Sequence, residues 1–192
     1  MSKKIYKPQT REELDKLVKD ESIHLGDIDT SAIDCMAFLF QDSTRKDFSG
    51  IESWNVSNVT NMSRMFKGAK FFNADISKWN VSNVEDMRSM FANAESFNQP
   101  LDSWNVSKVT DMSDMFADAK SFNQPLDSWD TSNVTDMARM FYNATSFNQP
   151  LESWDISNVE YIDYMLNGAE SFDQSLDSWN LTIREWKICF GD

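Results

Sequence analysis

Apolar positions fall in one pattern that recurs along the chain: L-x-x-W-x-V-x-x-V-x-x-M-x-x-M-F-x-x-A-x-x-F, as in Leu101 to Phe122. Its first part alternates large apolar and small polar residues around Trp and Val, which predicts a short strand. Its second part, from the second Val, places apolar residues at i, i+3, i+6, i+7 and i+10, which predicts one stripe of a helix. Start and stop signals frame that helix. Asn83 with Asp86, and Asn133 with Asp136, are spaced to cap it. Fourteen residues after each Trp stand Gly68, Asn93, Asp118, Asn143 and Gly168, residue types that tolerate a left-handed stop. The helix is expected to run nine residues, from the Val column to the residue before that stop. Pro100, Pro125 and Pro150 follow in the return loop, where no helix continues.

The pattern is a repeat. Tryptophans at 54, 79, 104, 129, 154 and 179 are each 25 residues apart. Val59, Val84, Val109, Val134 and Val159 keep the same register, and so do the methionine and phenylalanine columns below them. Both flanks are degenerate copies. Ile33, Met36, Leu39 and Phe40 reproduce the core spacing, with one extra residue before the next Trp. Ile183, Trp186, Cys189 and Phe190 reproduce it again, displaced by one residue. Atypical end repeats are what a repeat stack needs to cover its open ends.

The expected fold class is therefore α/β. The chain reads as a leucine-rich-repeat-like right-handed solenoid of about seven 25-residue coils, with short parallel strands on one face and short helices on the other. A degenerate first coil spans 27–53, regular coils span 54–178, and a truncated cap coil spans 179–192. Residues 1–26 form an N-terminal helical cap: Thr10 to Glu13 is a capping box, and Leu14, Leu17 and Val18 make one stripe to pack on the first coil.

At the level of motif, the repeat resembles the bacterial BspA-like leucine-rich-repeat surface proteins. In particular it resembles the mycoplasma-type lipoprotein repeat W-D-V-S-N-V-T-D-M-S-x-M-F-x-x-A-x-x-F-N-Q, which Trp104–Gln124 follows almost residue for residue. The likeness extends over residues 27–190. It implies a cell-surface component that mediates adhesion or other protein contacts, and it brings no catalytic residues. The N-terminus MSKKIYKPQTREEL has no apolar h-region and no lipobox, so the chain as written is expected to be cytoplasmic.

Composition narrows the chemistry. With 31 acidic and 18 basic residues the formal net charge is −13, which disfavours nucleic acid and anionic membranes as partners. The first 26 residues hold 6 basic and 5 acidic side chains, so the repeat carries 12 and 26, a net of −14. A single histidine, His24, leaves no material for histidine metal sites or Ser–His pairs. Cys35 and Cys189 are too few for a disulfide framework and are expected to be free. No phosphate loop, zinc spacing, nucleophile elbow or dinucleotide fingerprint occurs. The expectation is a monomer that is not an enzyme, with no cofactor, no metal and no membrane insertion.

Candidate binding residues come from the polar columns. The Trp column is read as core rather than as a sugar-stacking platform. Asn73, Asn98, Asn123, Asn148 and Asp173 are read as an amide ladder. Asn55, Asn80, Asn105, Asp130, Asp155 and Asn180, flanked by serines, are expected to line a concave strand face and to bind a protein or another extended ligand. The acidic column Glu52, Asp102, Asp127, Glu152 and Asp177 supports a rival function, an acidic charge mimic that blocks a basic nucleic-acid-binding surface. Outward positions on the expected helices, such as Arg64, Ser89, Asp114, Arg139 and Tyr164, differ between copies and are not expected to bind.

Overall fold

Thr10 opens helix α1, Arg11–Lys19: its hydroxyl accepts from the Glu13 N–H at 3.2 Å, while the Glu13 carboxylate accepts from the Gln9 N–H at 2.7 Å. Leu14 and Val18 are buried from this helix. The computed structural model describes residues 5–182 and 188–190. Two arginines tie α1 to the first coil. Arg11 donates to the Ala37 carbonyl at 2.9 Å. Arg45, buried, donates to the carbonyls of Val18, Asp20 and Ile23 at 3.4, 3.0 and 3.4 Å, where the last turn of α1 leaves acceptors open.

Beyond α1 the expected alternation of strand and helix does not form. Between residues 27 and 182 there is no α-helix and no strand longer than an isolated bridge, so the α/β leucine-rich-repeat solenoid is corrected. The 25-residue unit builds stacked coils made of turns. Cys35, Asn61, Asp86, Asp111, Asp136 and Tyr161 are joined pairwise in parallel bridges, one from each coil.

The segment expected to be helical shows why. Arg64 and Gly68 have φ of 57° and 69°, and the equivalent residues in later coils repeat these values, from Ser89 and Asn93 to Tyr164 and Gly168. Left-handed residues at two positions flip alternate peptides outward. Met62, Arg64, Phe66 and Gly68 then donate to the carbonyls of Asp86, Arg88, Met90 and Ala92 in the next coil, at 2.7–2.9 Å. Met65, Lys67 and Ala69 donate three residues back within their own coil, at 3.0–3.2 Å. No N–H of this run is left for the bond to residue i−4 that defines an α-helix. Successive turns also bring every third side chain inward, so apolar spacing at i and i+3 fits them as well as it fits a helix. The Gly/Asn/Asp column is left-handed as expected, but as a turn position and not a helix stop. Asn83 caps nothing; its amide donates to the Ser57 carbonyl of the preceding coil at 2.8 Å.

The expected strand is a turn too. Trp104 N–H donates to the Leu101 carbonyl at 3.0 Å and Val109 N–H to Val106 at 2.8 Å. Each indole N–H from Trp54 to Trp179 instead reaches back one coil: Trp104 Nε1 donates to Ile76 O at 3.1 Å and Trp129 Nε1 to Leu101 O at 2.9 Å. Trp104 and Trp129 are only 3% exposed.

Inside the coils run two phenylalanine columns. Within a coil the rings stack at 3.7–4.1 Å, as in Phe66 on Phe72 and Phe91 on Phe97. Between coils they stack at 5.5–6.1 Å, as in Phe72 on Phe97 and Phe122 on Phe147. The ends differ from the middle. From the first coil, Met36, Phe38, Phe40 and Asp42 donate 25 residues ahead, against 24 in the middle, which accommodates the extra residue before Trp54. Gly50 lies before Trp54 at φ 90° with its Cα against Gly26, where a Cβ has no room. At the far end Tyr164 and Leu166 donate to Ile188 and Cys189, a slip of one residue. The expected core positions Ile183 and Trp186 lie outside the described residues. No helix among the described residues is long and apolar enough to cross a membrane.

Trp104→Ala should destabilise by about 4 kcal/mol, because it opens a cavity and removes one of the two donors to the Ile76 carbonyl, which keeps the Trp79 N–H. Chemical denaturation measures this; a loss under about 1 kcal/mol would mean that the column contributes little to the core.

Both cysteines are free, Cys35 half-buried and Cys189 buried, with the Cys189 thiol pushed up to about 12 by burial. A thiol reagent should modify Cys35 in the native protein and Cys189 only after unfolding. Denatured, unreduced monomer should show two thiols. They sit about six coil steps of ~4.8 Å apart, far beyond the ~7 Å a disulfide spans, so finding none would refute the stack.

Candidate functional site

The polar strip expected to bind is exposed, but its oxygens are in use. The Oδ1 atoms of Asn55, Asn80, Asn105, Asp130 and Asp155 each accept the backbone N–H two residues on, at 2.9–3.2 Å. In three of them the serine hydroxyl also donates, at 2.6–2.8 Å. The Ser132 and Ser157 hydroxyls, followed by their N–H groups, hold the carboxyls of Asp130 and Asp155 below the usual range. Asn180 differs: it is left-handed at φ 51° and its amide donates to Ser178 O at 3.1 Å. These short side chains close local turns, a use that competes with strand ladders. The flanking serines bind the coils together, with Ser103, Ser128, Ser153 and Ser178 each donating to a carbonyl of the previous coil at 2.6–2.8 Å.

The Asn column is an amide ladder. Asn73 Oδ1 accepts from the Asn98 N–H and from Gln99 Nε2, both at 3.0 Å, and the same pair of bonds recurs at Asn98, Asn123 and Asn148. The glutamines are part of it, which the sequence alone does not single out; the signal it offers is their fixed place directly after Asn98, Asn123, Asn148 and Asp173.

A different face carries the chemistry that varies. Phe38, Arg64, Ser89, Asp114, Arg139 and Tyr164 occupy one left-handed column, at φ 54–63°. Glycine or asparagine would suit this backbone; Phe, Arg and Tyr are strained there. Beside it stands the bridge column of Asn61, Asp86, Asp111, Asp136 and Tyr161. The first four each accept the N–H two residues on through Oδ1, at 2.9 Å. Arg88 sits between Asp86 and Asp111, 3.5 Å from each. Burial, with further contributions from Asp111, Asp114 and Asp163, pushes the Asp136 carboxyl above its ordinary range. Burial does the same to Asp114, against the pull of Arg139, Lys67 and Arg64. Large apolar groups lie exposed on the two columns: Phe38 at 46%, Tyr161 at 54% and Tyr164 at 48%. In the sequence the strip stands out because it is uniform, and this face does not because it varies. The strain at its bulky members marks it, and only backbone angles reveal that strain.

A carboxyl raised in the folded state favours folding in acid and opposes it above its folded pKa. Asp136→Asn keeps the Oδ1 acceptor for Ala138 and removes the charge, as Asn61 already does in its own coil. The variant should gain about 0.5 kcal/mol at pH 7, the scale of a partly screened surface charge, and the gain should vanish in acid where Asp136 is protonated. Denaturant titrations at the two pH values check it; a loss at pH 7 would show that the carboxylate is needed.

No curated protein and no solved structure matches the chain. A family model matches it over residues 12–126 and again over 99–188, two overlapping stretches that take in α1 and most of the coils. The chain belongs to the family described as Mycoplasma protein of unknown function, DUF285.

Proposed function

We propose that the chain is a non-catalytic protein-binding module, of the adhesion or contact kind that its likeness to BspA-like surface proteins implies, and that it binds through the variable left-handed column. One observation carries the reading. The uniform polar columns are committed to turns and to bonds between coils, whereas the Phe38–Tyr164 column presents different side chains on a regular scaffold at the cost of backbone strain. Strain of this kind collects at functional positions, and exposed aromatic and arginine side chains are the types that anchor protein contacts.

The acidic charge mimic remains the rival, because Glu52, Asp102, Asp127, Glu152 and Asp177 form an exposed acidic column. Salt separates the two. Capture by charge alone fades as ionic strength rises, while a packed contact persists. The wild-type protein should capture the same partner from lysate and surface extract at about 50 and about 300 mM salt, and bind it again when purified. Phe38→Glu with Tyr164→Glu should abolish that binding. Asn105→Arg with Asp130→Arg on the polar strip should keep it. The reverse pattern would return recognition to the strip, and capture lost at the higher salt would favour the mimic.

A further inference from the structure

A cleft of about 320 Å³ crosses four coils of the variable face. Arg64 and Lys67 bound one end and Arg139 and Tyr142 the other. Between them the same columns carry Ser89, Ala92 and Ala117, all buried, so the floor drops where the side chains shorten. The hollow is thus a product of differences between copies, not of the repeat.

Of the four cations that line it, Arg88 alone is spent, 3.5 Å from both Asp86 and Asp111. The chain has 31 acidic residues to 18 basic, yet among the described residues Arg64, Lys67 and Arg139 have no carboxylate within ion-pair distance. The Arg64 guanidinium lies 5.2 Å from the Phe38 ring centroid and that of Arg139 5.3 Å from the Tyr142 ring. These cation–π contacts hold both guanidinium groups without using their N–H donors. The Arg64 Nε is buried and has no acceptor, an unmet donor of a kind that is costly to leave. Asp118, on the cleft wall, accepts from the Asn143 amide at 3.1 Å. Asp114 lies half-buried in the middle of the cleft.

We propose that this cleft binds an extended acidic peptide segment, with Arg64 and Arg139 each holding one carboxylate side chain. The assignment rests on the protein-binding reading of this face and names the partner's chemistry. Arg64 and Arg139 are three coil steps apart, roughly 14 Å at ~4.8 Å per step. An extended chain rises ~3.4 Å per residue, so acidic residues about four apart reach both arginines. An even spacing also turns both side chains to the same face. A carboxylate meets a guanidinium through two parallel hydrogen bonds. Asp114, between the cations, repels a compact polyanion but accepts a peptide N–H, which favours a polypeptide over free phosphate.

The test is fluorescence anisotropy with a labelled pentapeptide that has glutamate at both ends and Gly-Ser-Gly between. Binding should saturate. The same peptide with glutamine ends should bind the wild-type protein at least about tenfold more weakly. Arg64→Glu with Arg139→Glu should lose about tenfold or more at unchanged melting temperature, and Lys120→Glu, a charge reversal outside the cleft, less than about twofold. Inorganic phosphate should compete no better than chloride at matched ionic strength. Equal binding of the glutamine peptide, equal loss in Lys120→Glu, or displacement by phosphate would overturn the proposal. If a captured protein partner binds the Arg64/Arg139 variant as it binds wild type, the module reading stands and the cleft assignment falls.

Discussion

The structure depends on a division of labour between neighbouring peptide groups. In the run from Met62 to Ala69, alternate N–H groups bond within the coil and across to the next. This alternation requires a left-handed residue at two places in each unit, and every regular unit has them. Buried peptide groups must be paired somewhere. Here the pairing is half local and half between coils, so a coil satisfies its backbone only when its neighbour is present. The same handover recurs in side chains: the indole N–H groups of Trp54 to Trp179, the hydroxyls of Ser103, Ser128, Ser153 and Ser178 and the Asn–Gln pairs bond to the coil before. The two phenylalanine columns then fill the space that these bonds enclose, and α1 closes the first coil through Leu14, Val18 and the Arg45 contacts.

Much of this was legible in the sequence, and the part that was not has a physical cause. The unit length, the buried Trp, Met and Phe columns, the amide ladder, the left-handed Gly/Asn/Asp column and the capping box of α1 all follow from residue type and register. Secondary structure within the unit did not. The Val106, Val109, Met112 and Met115 spacing of three is shared by a helix and by successive turns, and the contest is decided by Arg64 and its equivalents. A left-handed Arg, Ser, Asp or Tyr carries no compositional mark, because its backbone is imposed by the coil on either side. The strand expectation failed similarly: Asn105 and Ser107 were read as a polar lane, but the Asn105 oxygen closes on the Ser107 N–H. The candidate site follows the same logic. Uniform residues reported the scaffold, while the variable column looked like noise until its angles and the unpaired Arg64 and Arg139 gave it meaning.

The two kinds of column respond differently to change. A substitution at Asn98 disturbs two coils at once, since its oxygen serves a backbone N–H and a glutamine of the next unit. A substitution at Arg139 meets solvent and one neighbouring ring. The scaffold columns are constrained together, and the variable column is free to be rewritten one coil at a time.

The constant offset of 24 residues between donor and acceptor in the middle coils has a consequence for how such chains lengthen. Removing or adding one whole 25-residue unit there brings together donors and acceptors that already match, and each unit touches only its neighbours. The two end seams, offset by 25 residues at the first coil and slipped by one at the last, match no interior unit. A unit can therefore be added or removed in the interior without a mismatch, whereas each seam fits one neighbour alone.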